Sequence, residues 1–184
     1  MINSALKLLA ALLSVLLLFI FPLSDSLKHQ EDLTYLSVTR SVSVFADSVR
    51  DRGYVSPTMY NEFVNQLAMT GNEYEVRMEH YEKRYEPIYK DPVKHDSFQN
   101  DFLLRYQVTV HEDMMITLFP KDYSVQSDDA RRRYQMQAGD YFSVDIRRMD
   151  QSIAVLMQHW LLGISAGRQE EVITAGGMVR NEAN

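Results

Sequence analysis

Ala5 to Leu23 (ALKLLAALLSVLLLFIFPL) is an apolar stretch with one charge, Lys7, and that run limits the chain's possible folds more than any other feature. A bilayer's hydrocarbon core is about 30 Å thick and takes roughly 20 apolar residues in a helix, whereas a run of about 10–14 points to a core helix. A signal peptide also pairs a positive charge with an apolar run, but ends in small residues resembling A-x-A. Here Phe19, Ile20, Phe21 and Pro22 stand in their place. The stretch therefore predicts a retained anchor over residues 1–24, with Leu8, Leu12, Val15, Leu16, Phe19 and Ile20 as its apolar body. Lys7 favours keeping the start inside, since positive flanks stay cytoplasmic. The expected location is the cell membrane, single-pass, with residues 25–184 forming an extracytoplasmic domain.

About 160 residues are enough for one domain with its own core. Of 19 basic residues only Lys7 precedes residue 25, and all 25 acidic residues follow it, so the domain is acidic. That balance argues against nucleic acid, whose phosphates attract basic patches. Arg131-Arg132-Arg133 and Arg147-Arg148 are local exceptions that fit solvated faces or internal ion pairs. The chain has no cysteine, which excludes disulfides, Cys-ligated zinc and a thiol nucleophile.

Tyr35, Val38, Val42, Phe45 and Val49 recur every three or four residues, while Asp32, Arg40, Ser43 and Asp47 fall off that face. The spacing predicts an amphipathic spine over 28–52, closed by Gly53, whose Val38, Val42, Phe45 and Val49 pack on the head. Pro22, lacking a backbone N–H, is expected to bend or break the rod between anchor and spine. Ser56-Pro57 is a helix start, and Tyr60, Phe63, Val64 and Leu67 form the stripe of a helix ending near Met69. Thr70-Gly71-Asn72 is a turn.

Tyr74, Val76, Met78 and His80 then alternate with Glu73, Glu75, Arg77 and Glu79, as in a half-buried strand. His80, at the end of the apolar face, reads as a structural histidine. Glu82 to Asp96, with Pro87 and Pro92, reads as a surface excursion whose Tyr85 and Tyr89, with Tyr81, could cover a core edge or line a groove. Phe102 to Val110 fits a strand through Leu104, Tyr106, Val108 and Val110, and a helix through Phe98, Phe102 and Tyr106. A short helix from Glu112 to Phe119 ends at Pro120, and Asp122 to Arg133 is a charged loop.

Tyr134 and Met136, the turn Ala138-Gly139-Asp140, and the alternating Phe142, Val144 and Ile146 predict an antiparallel hairpin. Ser152 is a candidate cap for a helix whose buried face would be Ile153, Leu156, Met157, Trp160, Leu161 and Ile164, with the tryptophan in the core. After Gly163 and Gly167 the tail reads as a last strand and a bend at Gly176-Gly177.

No catalytic constellation emerges. His111-Glu112-Asp113 lacks the i, i+4 histidine pair of a helical zinc site and reads as a polar helix start. G-x-S-x-G, P-loop and G-x-G-x-x-G motifs are missing. The expectation is a non-enzyme with no cofactor and no metal.

Asp47-Ser48-Val49-Arg50 with Gly53-Tyr54, Tyr60, Phe63, Leu67 with Thr70-Gly71-Asn72 and Tyr74, Glu79-His80, Gly139-Asp140-Tyr141-Phe142, and Gly176-Gly177-Met178-Val179-Arg180-Asn181-Glu182 span the chain. In these residues it resembles type IV pilin-like proteins, especially the minor pseudopilins of tight-adherence (Tad or Flp-type) systems, and among them a Gram-positive group. The resemblance implies an α+β, pilin-like fold: a transmembrane helix continuing into an amphipathic helix packed on a small antiparallel sheet. It implies a structural or accessory subunit of a surface filament or related secretion apparatus, with the membrane and other pilin-like subunits or an assembly platform protein as partners. The chain lacks the Gly before the cleavage point and the early helical Glu of processed pilins, which points to an accessory membrane subunit. The competing expectation is an extracytoplasmic, sensory domain holding a ligand or peptide between Tyr81 and Tyr106.

Overall fold

The computed structural model describes residues 2–90, 97–121, 126, 129–162 and 171–181. The chain is α+β, with a long N-terminal apolar helix and small antiparallel sheets. It divides into two compact units, residues 1–38 with 150–170 and residues 39–149 with 171–184.

Helix α1 spans Ile2–Arg52 as one element with Pro22 inside it. The break expected at Pro22 is therefore absent: a proline removes one hydrogen bond, and the neighbouring turns keep the helix intact. In the first unit α1 exposes Leu8, Leu12, Val15, Leu16 and Phe19, while Ile20 is half-buried. This helix is long and apolar enough to cross a membrane. The first unit also holds α4 (Ile153–Leu162). Ser152 caps it, with its hydroxyl accepting from the Val155 amide at 3.4 Å and donating to Glu31 at 2.6 Å. The core face expected for α4 is not observed: Trp160 is 76 % exposed, and Ile153 and Leu156 are exposed too. Its i, i+3, i+4 pattern states that one face is apolar and leaves open what covers it. Ile164, Gly163, Gly167 and the side chain of Leu161 lie outside the described residues.

In the second unit α1 ends at Arg52, and Gly53 follows with φ 70° and its amide donating to Val49 O at 2.8 Å, a left-handed helix cap. Strand β1 (Tyr54–Val55) leads to helix α2 (Pro57–Ala68), where Ser56 accepts from the Met59 amide and proline opens the helix. Phe63 and Leu67 are buried with Met59; Tyr60 and Val64 are half-buried.

Strand β2 (Tyr74–Tyr89) runs nine residues past His80, through most of the expected surface excursion. Beyond Tyr81, among the described residues, it has only β3 (Phe98–Val110) beside it, and a register shift falls between Pro87 and Tyr89, so the proline sits where a strand tolerates one. Residues 91–96 of the excursion lie outside the described residues. The ambiguous segment is thus a strand: pairing with β2 selects the period-two reading.

Helix α3 (His111–Leu118) follows directly, and a 3-10 turn at Ala130–Arg132 precedes β4 (Tyr134–Gln135). Positions 122–125 and 127–128 of the charged loop lie outside the described residues. The expected hairpin is a correction. The turn at Ala138-Gly139 exists, but β4 pairs with β1, while β5 (Tyr141–Arg148) pairs with β2 and with β6 (Val172–Met178). Two strands flanking a tight turn can separate when each finds a longer-range partner, and sequence spacing alone does not exclude that. The four-stranded sheet has the order β3-β2-β5-β6 and is antiparallel throughout.

Its inner face carries Met78, Phe142, Val144, Ile146 and Ile173, all buried. Against it lie Val42, Phe45, Ala46 and Val49 of α1, also buried. The Phe45 ring stacks on Phe63 at 4.3 Å and meets Phe142 edge-on at 6.3 Å, joining α1, α2 and β5. Val38, in the first unit, is buried, whereas Tyr35 is exposed.

Candidate functional site

Three arrangements in the second unit bring distant residues together. The first fastens residues 176–181 to the end of α1. Arg50 Nε donates to Met178 O at 3.0 Å, and its guanidinium pairs with Asp47 at 2.7 Å. The Arg180 amide donates to Arg50 O, the Arg180 side chain pairs with Asp51 at 2.6 Å, and Asn181 donates to Asp51 O. Val179, buried between them, exchanges backbone bonds with Gly139 and Asp140. Both glycines of Gly176-Gly177 are close-approach positions. A Cβ on Gly176 would stand 2.6 Å from Phe142 O and 2.9 Å from Ser143 Cα, and one on Gly177 would stand 2.5 Å from Arg50 Cζ. The β5 backbone facing Gly176 cannot give way, and Gly177, with φ 158°, holds a conformation that L side chains rarely adopt. Gly176→Ala should therefore cost about 1–3 kcal/mol through overpacking, read as a lower urea midpoint. An unchanged midpoint would contradict the backbone clash.

The second arrangement is a buried polar relay. His80, 4 % exposed, has Nε2 3.0 Å from Asp140 Oδ2 and Nδ1 2.8 Å from the Tyr134 hydroxyl. With Nε2–H donating to the carboxylate, a neutral ring keeps Nδ1 to accept the Tyr134 O–H. Asp140 also accepts from the amides of Lys83 at 3.0 Å and Gln137 at 2.9 Å. Burial alone would push the Asp140 carboxyl up, but these amides and His80 outweigh it and hold it below the usual range. Burial raises the Tyr134 hydroxyl. The ring is closed off from solvent and its free nitrogen already engages Tyr134, so the relay fastens the 137–140 turn to β2 and β4 rather than presenting a base to a substrate.

The third is the outer face of the four-stranded sheet. Register places Phe102, Leu104, Tyr106, Val108 and Val110 of β3 opposite Pro87, Tyr85, Lys83, Tyr81 and Glu79 of β2, with Tyr141 beyond Tyr81 and Met178 beyond Tyr141. All five β3 side chains, and Tyr85, Tyr141 and Met178, are exposed. Tyr89 lies next to Phe98.

The remaining sequence candidates find ordinary surroundings. Arg131 pairs with Asp129, whose carboxyl it lowers to about 2 by side-chain and backbone hydrogen bonds. Arg132 Nε donates to Leu118 O, Arg133 lies over the Tyr54 ring, and Arg148 donates to Asn72. His111 opens α3 beside Tyr60, with its pKa lowered by burial and its Nδ1 without a hydrogen-bond partner among the described residues. Among the described residues no group of three His, Asp or Glu side chains is placed to hold a metal ion.

The sequence reading did not single out Asp140, Asp51, Arg180 or Asn181 as contact residues. Asp140, Arg180 and Asn181 were marked only as members of short motifs, and Asp51 by no signal at all; in the fold Asp47 and Arg50 lie by Met178 and Arg180, and His80 by Asp140. Comparison with protein-family models, curated proteins and solved structures gives no match.

Proposed function

We propose that this chain is a membrane-anchored, pilin-like structural or accessory subunit of a surface filament or related secretion apparatus, and that it acts by assembly rather than by catalysis. One observation carries the reading. A single uninterrupted helix, α1, supplies both an exposed apolar segment of membrane-spanning length and the Val42, Phe45 and Val49 stripe buried in the sheet-bearing unit. Carrying a membrane-length apolar segment and a domain's core stripe along one helical run suits a subunit that packs laterally. Ala10, Ala11 and Ser14 lie on the exposed segment, and small residues let helices approach closely in lipid. The proposed partners are the membrane, other pilin-like subunits and an assembly platform protein, with the C-terminal domain extracytoplasmic.

Two measurements test this. Intact-mass analysis of protein extracted from its native membrane should give a chain that retains residues 1–24; a mature form beginning near Ser24 would remove the anchor. Deleting the gene should abolish surface filaments or the associated secretion, with rescue by the full-length chain. Unchanged filaments and secretion would overturn the reading.

A sensory or binding role is the second reading, favoured by Tyr85, Tyr106 and Tyr141 on the exposed sheet face. Flat aromatic rings offer large contact area at small entropic cost. Binding of extended peptides or glycans that is lost in Tyr85→Ala would favour it.

A further inference from the structure

We infer that β3 is a self-association edge, pairing antiparallel with β3 of a second copy of this chain about a two-fold axis at Tyr106. This goes beyond the pilin-like reading and does not depend on it. The strand has β2 on one side and, among the described residues, no strand on the other. Edge strands are ordinarily blunted by proline, lysine or irregularity, because their unpaired amides and carbonyls template a further strand. From Phe102 to Val110 this edge has neither proline nor lysine, and its pairing with β2 keeps one register throughout. The irregularity comes only before Phe102, at Asn100 with φ 58°.

Side chains directly opposite each other on an antiparallel pair share a face. An axis at Tyr106 places Phe102 opposite Val110 of the second copy, Leu104 opposite Val108, and Tyr106 opposite itself. Those side chains are exposed, Phe102 and Tyr106 each at 53 %. On the other face Leu103 meets Thr109 and Arg105 meets Gln107. Arg105 is the one charged residue of the segment, and its charge is already matched by Glu86 at 2.7 Å. Neighbouring registers are worse. An axis at Arg105 sets like charges directly opposite, which destabilises a pair, an axis at Leu104 sets Leu103 against Arg105, and each shortens the overlap that the Tyr106 axis extends over all nine residues. The near-palindromic pattern is the reason to assign the edge to a second copy, because an isologous two-fold contact requires self-complementarity and closes on itself. Any other partner would have no need of it.

The chain's lack of cysteine makes the test direct. Full-length single-cysteine variants Tyr106→Cys, Leu104→Cys and Val108→Cys are treated in native membranes with a short bis-maleimide. Opposite Cβ atoms lie about 4.5–5.5 Å apart. Tyr106→Cys should give a cross-linked dimer, and Leu104→Cys mixed with Val108→Cys should give several-fold more dimer than either alone. Tyr106→Lys should reduce the mixed cross-link at least fivefold with the same melting temperature, which distinguishes β3 pairing from association through α1. No dimer at Tyr106, or equal yields for mixed and unmixed samples, would overturn the assignment, whether or not the chain serves a filament.

Discussion

Phe45→Ala is expected to lower the unfolding free energy by about 3–5 kcal/mol, the range for deleting a buried aromatic side chain. The ring is 5 % exposed, stacks on Phe63 and touches Phe142, so its loss opens a void where α1, α2 and β5 meet. Those elements hold one another in place through this ring, leaving the void little room to collapse. Domains are typically stable by about 5–15 kcal/mol, so the variant would retain little margin. Arg40→Ala, at an exposed position of the same helix, should change stability by no more than about 0.5 kcal/mol. Urea unfolding of the full chain in mild detergent, followed by near-ultraviolet dichroism, compares the two. Equal midpoints would mean that the Phe45 contacts contribute nothing to the unit's stability and that the stripe serves another purpose.

Asp140→Ala should cost a similar amount, about 3–5 kcal/mol, for a different reason. Three donors lose their acceptor together, the buried His80 ring and the partly buried amides of Lys83 and Gln137, and an unmet buried donor costs about 1–3 kcal/mol. The cost should depend on pH with a definite sign. The folded state holds the Asp140 carboxyl below its ordinary value, so the ionised group contributes stability that is complete above about pH 3.9 and is lost as pH falls through the lower folded value. The gap between wild type and variant should therefore narrow as pH falls below about 4. A gap that widens toward low pH would show that the carboxylate is not stabilised in the fold.

The legible parts of the fold were those fixed by local rules. Ser56-Pro57 and Ser152 opened helices because a hydroxyl can accept the free amides of a first turn, and Gly53 closed one because its φ of 70° suits glycine. Period-two alternation located the starts of β2 and β5. What was illegible depended on partners far away in the chain. The segment after His80 contains a proline and many charges, and only pairing with β3 makes it a strand. Tyr134 and Phe142 flank a well-formed turn, yet each joins a different sheet because β1 and β2 are available to them. Trp160 looked like core because its helix has an apolar face, and an apolar face is silent about its neighbour. The buried relay was hidden for a similar reason: an aspartate after glycine is ordinary turn chemistry, and nothing in its vicinity announces a histidine sixty residues earlier.

The fastening of residues 178–181 onto Arg50 and Asp51 also fixes an order of events during synthesis. These contacts join positions 128 to 130 residues apart. Contacts of such separation cannot form until the last of them has left the ribosome, long after α1 has emerged. β6, the strand beside β5, arrives equally late. During that interval the apolar part of α1 is free to enter a bilayer, while Val42, Phe45 and Val49 wait for a sheet that does not yet exist. The stripe is then incompletely covered until β6 and the residues after it have emerged. The contacts of Arg180 and Asn181 with Arg50 and Asp51 are the last to close the unit.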